Sequence, residues 1–306
     1  MSTLTTKSGI KYRPSLEGVP VRSVAPSSAA KWITTGLLLL ALVYFLFPVY
    51  WVIIASSKSN PELVGSSGVW FASGFDGIVQ GFADNYRRLM SWTHGMFWRW
   101  VLNSLVYSTV AGVIGTLISV VAGYGLAKFR FPGKNVAMGV IMGGLPLPVA
   151  LLTIPMYIVF QHLGLTNTMA AIIIPSCVSP FGVFLGRVYA QSSVPTELIE
   201  AARIDGASEA RIFFTMVLRL LAPAMVTIFL FIFVATWNNF LLPLMMVSSQ
   251  EIKPVTLGLY GMMSYYNPEK GAVMMGALLG VVPLIILFLG LQKYWQSGLA
   301  AGSVKG

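Results

Sequence analysis

The stretch "WITTGLLLLALVYFLFPVYWVIIA", residues 32–55, contains no charged side chain. A helix of about 20 apolar residues is long enough to cross the hydrocarbon core of a bilayer. The rest of the chain has a similar character, since 56% of its 306 residues are hydrophobic, 10% are charged and the mean hydropathy is +0.76. A soluble domain typically has about 25% charged residues. The sequence therefore predicts an all-α integral membrane protein.

Six stretches are long and apolar enough to be transmembrane helices. They are predicted at residues 32–55, 100–126, 136–160, 169–185, 221–247 and 272–291. The third to fifth stretches contain prolines, and the third carries the sequence GGLPLP at 143–148. Broken helices line the substrate path of some transporters, although proline and glycine are also common in membrane helices that do not.

The distribution of lysine and arginine predicts the orientation of these helices. With the N-terminus inside, 14 of the 20 basic residues lie on the cytoplasmic side, and six lie outside: Lys58, Arg87, Arg88, Arg99, Lys253 and Lys270. Cytoplasmic loops carry an excess of basic residues, so both termini are predicted to be cytoplasmic. This topology also explains the net charge of +10 without a nucleic-acid partner.

Motifs for catalysis, metal binding and nucleotide binding are missing from the sequence. There is no GxxxxGK[ST] loop, no HExxH and no GxSxG. The single cysteine, Cys177, is expected to be a core residue, and His94 and His162 have no neighbours at metal-ligand spacing. The predicted helices hold no carboxylate relay of the kind that proton-coupled carriers use. These observations argue against a membrane enzyme and a secondary carrier, and they leave the energy source unexplained unless another subunit supplies it.

The charged stretch "EAARIDGASEAR", residues 200–211, is unusual in so apolar a chain. We predict a helix with Ser193 as its cap and Pro195 in its first turn, and with Leu198, Ala201 and Ala202 on one shallow face. Gly206 is predicted to end this helix in the left-handed conformation. Ser208 is predicted to cap a second helix that runs from Glu209 into the fifth span. This helix–turn–helix suits either docking into a groove of a partner protein or a solvated surface loop.

These residues resemble the EAA loop of the membrane subunits of binding-protein-dependent ABC importers. Glu200, Ala201, Ala202 and Gly206 match that motif in type and spacing. The resemblance implies that the loop, with Arg203 and Asp205, is a coupling helix seated on a cytoplasmic ATPase, with Glu200 paired to a basic group there. A later proline of the motif is replaced by Arg219, and Pro223 follows one turn on. The resemblance therefore does not predict whether the chain bends after the second helix.

The resemblance extends over nearly the whole chain and is closest to the second membrane subunit of maltose-type carbohydrate importers. It rests on LFPVYWVIIASSKS (46–59), LNSLVYS (102–108), AGYGLAKFRFPGK (122–134), LGLTNTMAAIIIP (163–175), WNNFLLPL (237–244) and GLAAGSVKG (298–306). The polar and basic segment at 1–31 is predicted to be a cytoplasmic tail. The resemblance implies a transporter domain at 32–306, which includes the coupling loop at 193–219 and a C-terminal tail at 292–306. In that tail, Gly302, Ser303, Val304 and Lys305 would reach the ATPase.

The implied complex lies in a bacterial plasma membrane. Its other members are a cytoplasmic ATPase dimer that binds ATP and Mg, a second related permease and an extracellular or periplasmic substrate-binding protein. This chain itself would bind no cofactor. For the substrate, a sugar or oligosaccharide, we single out Trp237, Asn238 and Asn239, because an indole ring stacks on sugars and amides bind hydroxyl groups. The alternative is that these three residues pack between helices.

Overall fold

A computed structural model of the chain describes residues 28–263 and 269–303, with side chains for 29–263 and 269–294. Every regular element in these ranges is helical. The α-helices are α1 (Ser28–Ser56), α2 (Asn60–Gly65), α3 (Phe75–Trp92), α4 (Phe97–Lys128), α5 (Lys134–Gly144), α6 (Val149–His162), α7 (Ala170–Ser176), α8 (Pro180–Ser193), α9 (Thr196–Ile204), α10 (Glu209–Ile212), α11 (Leu218–Leu220), α12 (Ala222–Trp237), α13 (Leu241–Met246), α14 (Val255–Tyr260) and α15 (Lys270–Ser303). A π-helical turn, Phe213–Val217, joins α10 to α11, and a 3₁₀ turn, Gln250–Ile252, precedes α14.

The described residues contain four to six candidate membrane spans. Four helical segments are long and apolar enough by themselves: Ala29–Ser56, Phe97–Lys128, Ala170–Ser193 and Lys270–Tyr294. Two further pairs qualify only when joined, namely Lys134–Gly144 with Val149–His162, bent by 106°, and Glu209–Leu220 with Ala222–Trp237, bent by 79°. The 106° bend coincides with the predicted helix breakers at 143–148. The predicted span at 221–247 is interrupted, because α12 ends at Trp237 and α13 begins only at Leu241.

The chain divides into two compact units between Val49 and Tyr50. Among the described residues, the first unit consists of the apolar part of α1 up to Val49. The second unit, from Tyr50 onward, contains the packed helices and is centred on α4, which contacts both α8 and α12.

Small residues let α4 approach its neighbours closely. A Cβ atom added to Gly123 would lie 2.5 Å from the backbone nitrogen of Arg187, and one added to Gly186 would lie 2.9 Å from the carbonyl oxygen of Ser119. Small residues at helix contacts are the usual means of close packing in membranes. Buried side chains of α4, α8, α9 and α12 form a cluster that we call the main core cluster. Cys177 belongs to this cluster and is 7% exposed, as expected for a core residue.

Polar contacts hold the end of α1 to the helices that follow it. The amide nitrogen of Asn85, on α3, donates to the carbonyl oxygens of Ser56 and Lys58 at 2.8 Å each. The backbone nitrogen of Gly271, at the start of α15, donates to the side chain of Asn60 at 3.0 Å. Three segments far apart in sequence are therefore fixed together at this end of the second unit.

Candidate functional site

The charged stretch forms a short helix that ends in a tight turn. Helix α9 ends at Ile204 with Asp205 as its C-cap, and the next residue, Gly206, has φ +78°. The backbone nitrogen of Gly206 donates to the oxygen of Arg203, and that of Ala207 donates to the oxygen of Ala202, each at 3.0 Å. These two bonds form a Schellman motif, in which a left-handed residue satisfies carbonyls at the end of a helix. The predicted stop at Gly206 is confirmed.

The start of α9 differs from the prediction. Ser193 is the last residue of α8 rather than the cap of α9, and Pro195 occupies the cap position without a side-chain hydrogen bond. Pro195 supplies an extended backbone, with ψ 136°, so the chain turns between the two helices at Val194 and Pro195. Glu197 lies in the first turn of α9.

The predicted shallow face of α9 is divided between the core and the surface. Ile199 is 2% and Ala202 is 8% exposed in the main core cluster, whereas Leu198 and Ala201 are exposed. Of the three residues of the predicted face, Leu198 and Ala201 remain at the surface, whereas Ala202 lies in the core beside the larger apolar side chain of Ile199. The exposed side of α9 therefore carries both small and acidic residues, including Glu200, Ala201 and Asp205.

Arg203 fixes the turn to the rest of the protein. Its Nε donates to Oε1 of Glu209 at 2.5 Å, and its guanidinium carbon lies 6.0 Å from the centre of the Phe129 ring. The hydrogen bond to Glu209 raises the pKa of Arg203. Ser208 caps α10, as predicted, and its hydroxyl accepts from the backbone nitrogen of Arg211 at 3.3 Å. Glu200 makes no hydrogen bond or salt bridge within the described residues, so its carboxylate stays available to a partner.

The second helix of the charged stretch does not run straight into the fifth span. The segment Glu209–Leu220 meets Ala222–Trp237 at 79°. Pro223 is at the start of α12, where a missing N–H costs no helical hydrogen bond. Arg219 is exposed in α11, before the bend. The bend is thus present although the proline that the EAA motif expects is replaced by Arg219.

The three candidate substrate residues lie in different surroundings. Trp237 is 3% exposed and stacks on Phe233 with a centroid distance of 5.8 Å. Asn238 is exposed, and its amide donates to the oxygen of Val234, one turn back. The side-chain oxygen of Asn239 accepts from the backbone nitrogen of Leu242 at 3.4 Å. Only Asn238 therefore presents its side chain at the surface of the chain, and a role for these residues in the substrate path stays a prediction.

The C-terminal tail is described only in part. Gly302 and Ser303 belong to the backbone of α15. Val304 and Lys305 lie outside the described residues. An ATPase contact by these four residues stays a prediction.

Sequence reasoning missed a row of side chains on the first turns of α4. Trp100, Asn103, Ser104 and Tyr107 share one helix face. The indole of Trp100 donates to the oxygen of Gln250 at 2.8 Å, Asn103 donates to the oxygens of Glu251 and Lys253, Tyr107 donates to the oxygen of Ile252, and Ser104 accepts from the nitrogen of Val255. The row holds the segment 250–255 in place. Its only signal in the sequence is a polar pair, Asn103–Ser104, inside an apolar stretch.

No group of three or more histidine, cysteine or acidic side chains is placed to hold a metal ion in residues 28–263 and 269–303.

Comparison with known proteins gives a family match. A family model described as "Binding-protein-dependent transport system inner membrane component" matches residues 115–300. This range contains α9, its tight turn and both bent helix pairs.

Individual relatives match over most of their length. The chain is 33% identical over 274 residues to the arabinooligosaccharides transport system permease protein AraQ of Bacillus subtilis, covering 90% of this chain and 95% of that protein. It is 32% identical to the lactose transport system permease protein LacG of Rhizobium radiobacter, over 88% and 94%. It is 29% identical to the trehalose/maltose transport system permease protein MalG of Thermococcus litoralis, over 89% and 95%.

A solved structure has the same fold. It is described as a bacterial ABC transporter involved in the import of the acidic polysaccharide alginate. The match has a TM-score of 0.72 at 22% identity and covers 87% of this chain and 96% of the other.

Proposed function

This chain belongs to the family of binding-protein-dependent transport system inner membrane components, and we propose that it forms half of the translocation pathway of an ATP-driven importer. As a member of that family it is a transport component of a bacterial inner membrane. We assign it a permease role without catalysis, with six spans and with both termini in the cytoplasm. The excess of basic residues in the predicted inside loops supports this orientation.

The proposed cargo is a sugar or oligosaccharide. The relatives named above are described as permeases for arabinooligosaccharides, lactose and trehalose/maltose. All of these are carbohydrates that contain two or more sugar units. Asn238 is the candidate path residue whose side chain is exposed, and Trp237 and Asn239 lie beside it.

The proposed energy source is a cytoplasmic ATPase dimer that binds ATP and Mg, while this chain binds no cofactor. The observation that carries the proposal is the exposed side of α9, which ends in the rigid turn at Gly206. A partner seated on this side meets Glu200, Ala201 and Asp205. Arg203, through Glu209 and Phe129, transmits a push on α9 to the helices behind it. A second related permease and a substrate-binding protein complete the importer.

A charge reversal at Glu200 tests the coupling role. We express the chain with its partner subunits and replace Glu200→Lys, which brings two positive groups together if Glu200 pairs with a basic group of the ATPase. Like charges placed together at an interface cost several kcal/mol. We therefore expect ATPase co-purification and sugar uptake to fall about tenfold or more.

The matched control is Asp76→Lys, since Asp76 lies in the first turn of α3, on the predicted outer side. It should leave ATPase co-purification unchanged. Both positions are exposed, so the amount of folded chain should be the same in both variants. Retention of the ATPase and of uptake in the Glu200 variant would show that the coupling role is wrong.

A further inference from the structure

A small basic cavity lies between the end of α4 and the start of α5. Its volume is about 320 Å³, and it is lined by Arg130, Phe131, Gly133, Lys134, Asn135 and Val136. Pockets for small ligands span about 300–1,000 Å³. The cavity is therefore large enough for a small headgroup and too small for a whole lipid.

The positive charge of this cavity is not compensated by the described part of the chain. None of its lining residues is acidic, and the sequence has no Asp or Glu between Asp84 and Glu197. Arg130 makes no hydrogen bond or salt bridge with the described residues. Lys134 donates one hydrogen bond, to the oxygen of Phe129 at 3.0 Å, and an ammonium group has three donors. Two cationic groups thus have free donors for an anion.

The position of the cavity restricts the source of that anion. Residues 129–133 connect α4, a candidate span, to α5, which belongs to a bent candidate span. So short a connection between two membrane segments lies at the membrane surface. Phe131 is 44% and Val136 is 71% exposed beside the basic groups. An apolar surface next to cations suits a phospholipid, because its acyl chains contact apolar side chains while its phosphate binds the cations.

We infer that this cavity binds the phosphate of an anionic phospholipid from the cytoplasmic leaflet. The side of the membrane rests on the proposed orientation. Anionic lipids give the cytoplasmic leaflet a negative surface potential that attracts basic segments next to the membrane. Arg130 and Lys134 hold the phosphate, and Phe131 and Val136 contact the lipid body.

The site is connected to the charged loop. Phe129 lies under the guanidinium of Arg203, and Lys128 donates to the hydroxyl of Thr196, at the start of α9, at 3.4 Å. A lipid bound at 130–136 therefore stabilises Lys128 and Phe129, the two neighbouring residues that contact α9.

The test measures lipid retention by the purified importer. Native mass spectrometry counts bound lipids after equilibration with mixed micelles of phosphatidylglycerol and phosphatidylcholine. We compare the wild type with the double variant Arg130→Gln/Lys134→Gln. The affinity for phosphatidylglycerol should fall about 30-fold, which is about 2 kcal/mol at about 1 kcal/mol for each basic residue. Phosphatidylcholine retention should not change.

The matched control is Arg87→Gln/Arg88→Gln, which removes the same charge from α3. It should retain phosphatidylglycerol like the wild type. Equal retention in both double variants, or equal loss in both, would overturn the inference. If the Arg130/Lys134 variant instead lost the ATPase and kept the lipid, the cavity would be a protein contact. The Glu200→Lys variant should retain the lipid, so failure of the coupling role and failure of this site give different results.

Discussion

Arg203 shows how one side chain joins the charged loop to the membrane helices. Its guanidinium contacts Glu209, beyond the turn, and Phe129, after the end of α4. Phe129 in turn packs edge-on against Tyr124 at 5.6 Å. Because the pair of Arg203 and Glu209 is exposed, it contributes little to the free energy of unfolding. Its consequence is local, since it links the end of α9 to the start of α10 across the turn.

Gly206 was predictable from the sequence and Ser193 was not. A glycine after a polar residue at the end of an amphipathic helix predicts a left-handed stop by local backbone energetics alone. Ser193 is followed by Val194 and Pro195, and a cap at Ser193 requires that α8 ends before it. Helix α8 packs against α4 and continues to Ser193. A capping rule that uses only neighbouring residues does not take account of this packing.

Replacing Gly206→Ala should weaken the turn. A Cβ at this position meets no neighbouring atom within 4 Å, so the cost arises from φ +78° alone. The left-handed conformation costs a residue with a Cβ roughly 1–2 kcal/mol. We expect a lower melting temperature of the importer and reduced uptake, measured by thermal unfolding and by labelled-sugar transport.

Gly139→Ala is the control for this prediction. Gly139 also has open space around it, but it lies in the helix α5 without a positive φ. Alanine at such a site stabilises a helix by about 0.4–1 kcal/mol. The melting temperature is therefore expected to fall for Gly206→Ala and to rise for Gly139→Ala. A higher melting temperature for Gly206→Ala would contradict the assignment of backbone strain.

Helix α4 organises the second unit along its whole length. Its first turns hold the segment 250–255 through side-chain hydrogen bonds, its middle packs against α8 and α12, and its end supports the charged loop. The sequence predicted this helix as a span. It did not predict which faces meet which partners, because a helix with small and polar residues on several sides has no single apolar stripe.

Gly123→Leu should separate α4 from α8. The added Cβ would lie 2.5 Å from the backbone nitrogen of Arg187 and 2.6 Å from the carbonyl carbon of Gly186, and backbone atoms have no rotamer with which to move away. Overpacking of a core typically costs 1–3 kcal/mol. We expect a loss of about 3 kcal/mol or failure to accumulate, measured by thermal unfolding and by the amount of protein in the membrane.

The control is Gly125→Leu, two residues further along the same helix, where a Cβ meets nothing within 4 Å. It changes helix propensity and hydropathy in the same way and should accumulate normally. If both variants behaved alike, close packing of α4 on α8 would not be the reason for glycine at position 123.

At the scale of the whole molecule, the exposed surface of α4 is apolar. Val113, Ile114 and Val121 are 48%, 42% and 51% exposed. So large an exposed apolar surface is unfavourable in water and is suited to lipid or to another membrane subunit.

Cysteine labelling tests the proposed orientation. In a Cys177→Ala background, single cysteines replace Ala210 or Gln250, which are both exposed. A maleimide that cannot cross membranes should label the Gln250→Cys variant in intact spheroplasts. It should label the Ala210→Cys variant only after permeabilisation, because that position is predicted to be cytoplasmic. The control is the Cys177→Ala chain without a new cysteine, which has no thiol and should not be labelled. The reverse pattern would invert the topology and with it the leaflet assigned to the lipid site.

The sequence by itself determined that the chain is a helical membrane protein, where its apolar segments lie and where the charged loop stops. These properties depend on composition and on contacts within a few residues, so they do not require the rest of the fold. Only the tertiary structure decided that Ile199 faces inward while Leu198 and Ala201 face outward. It also decided that Trp237 is buried against Phe233, and that four side chains of α4 hold a segment about 150 residues away. Those outcomes depend on which helices pack together, because the free energy of helix packing comes from contacts between residues that are far apart in the sequence.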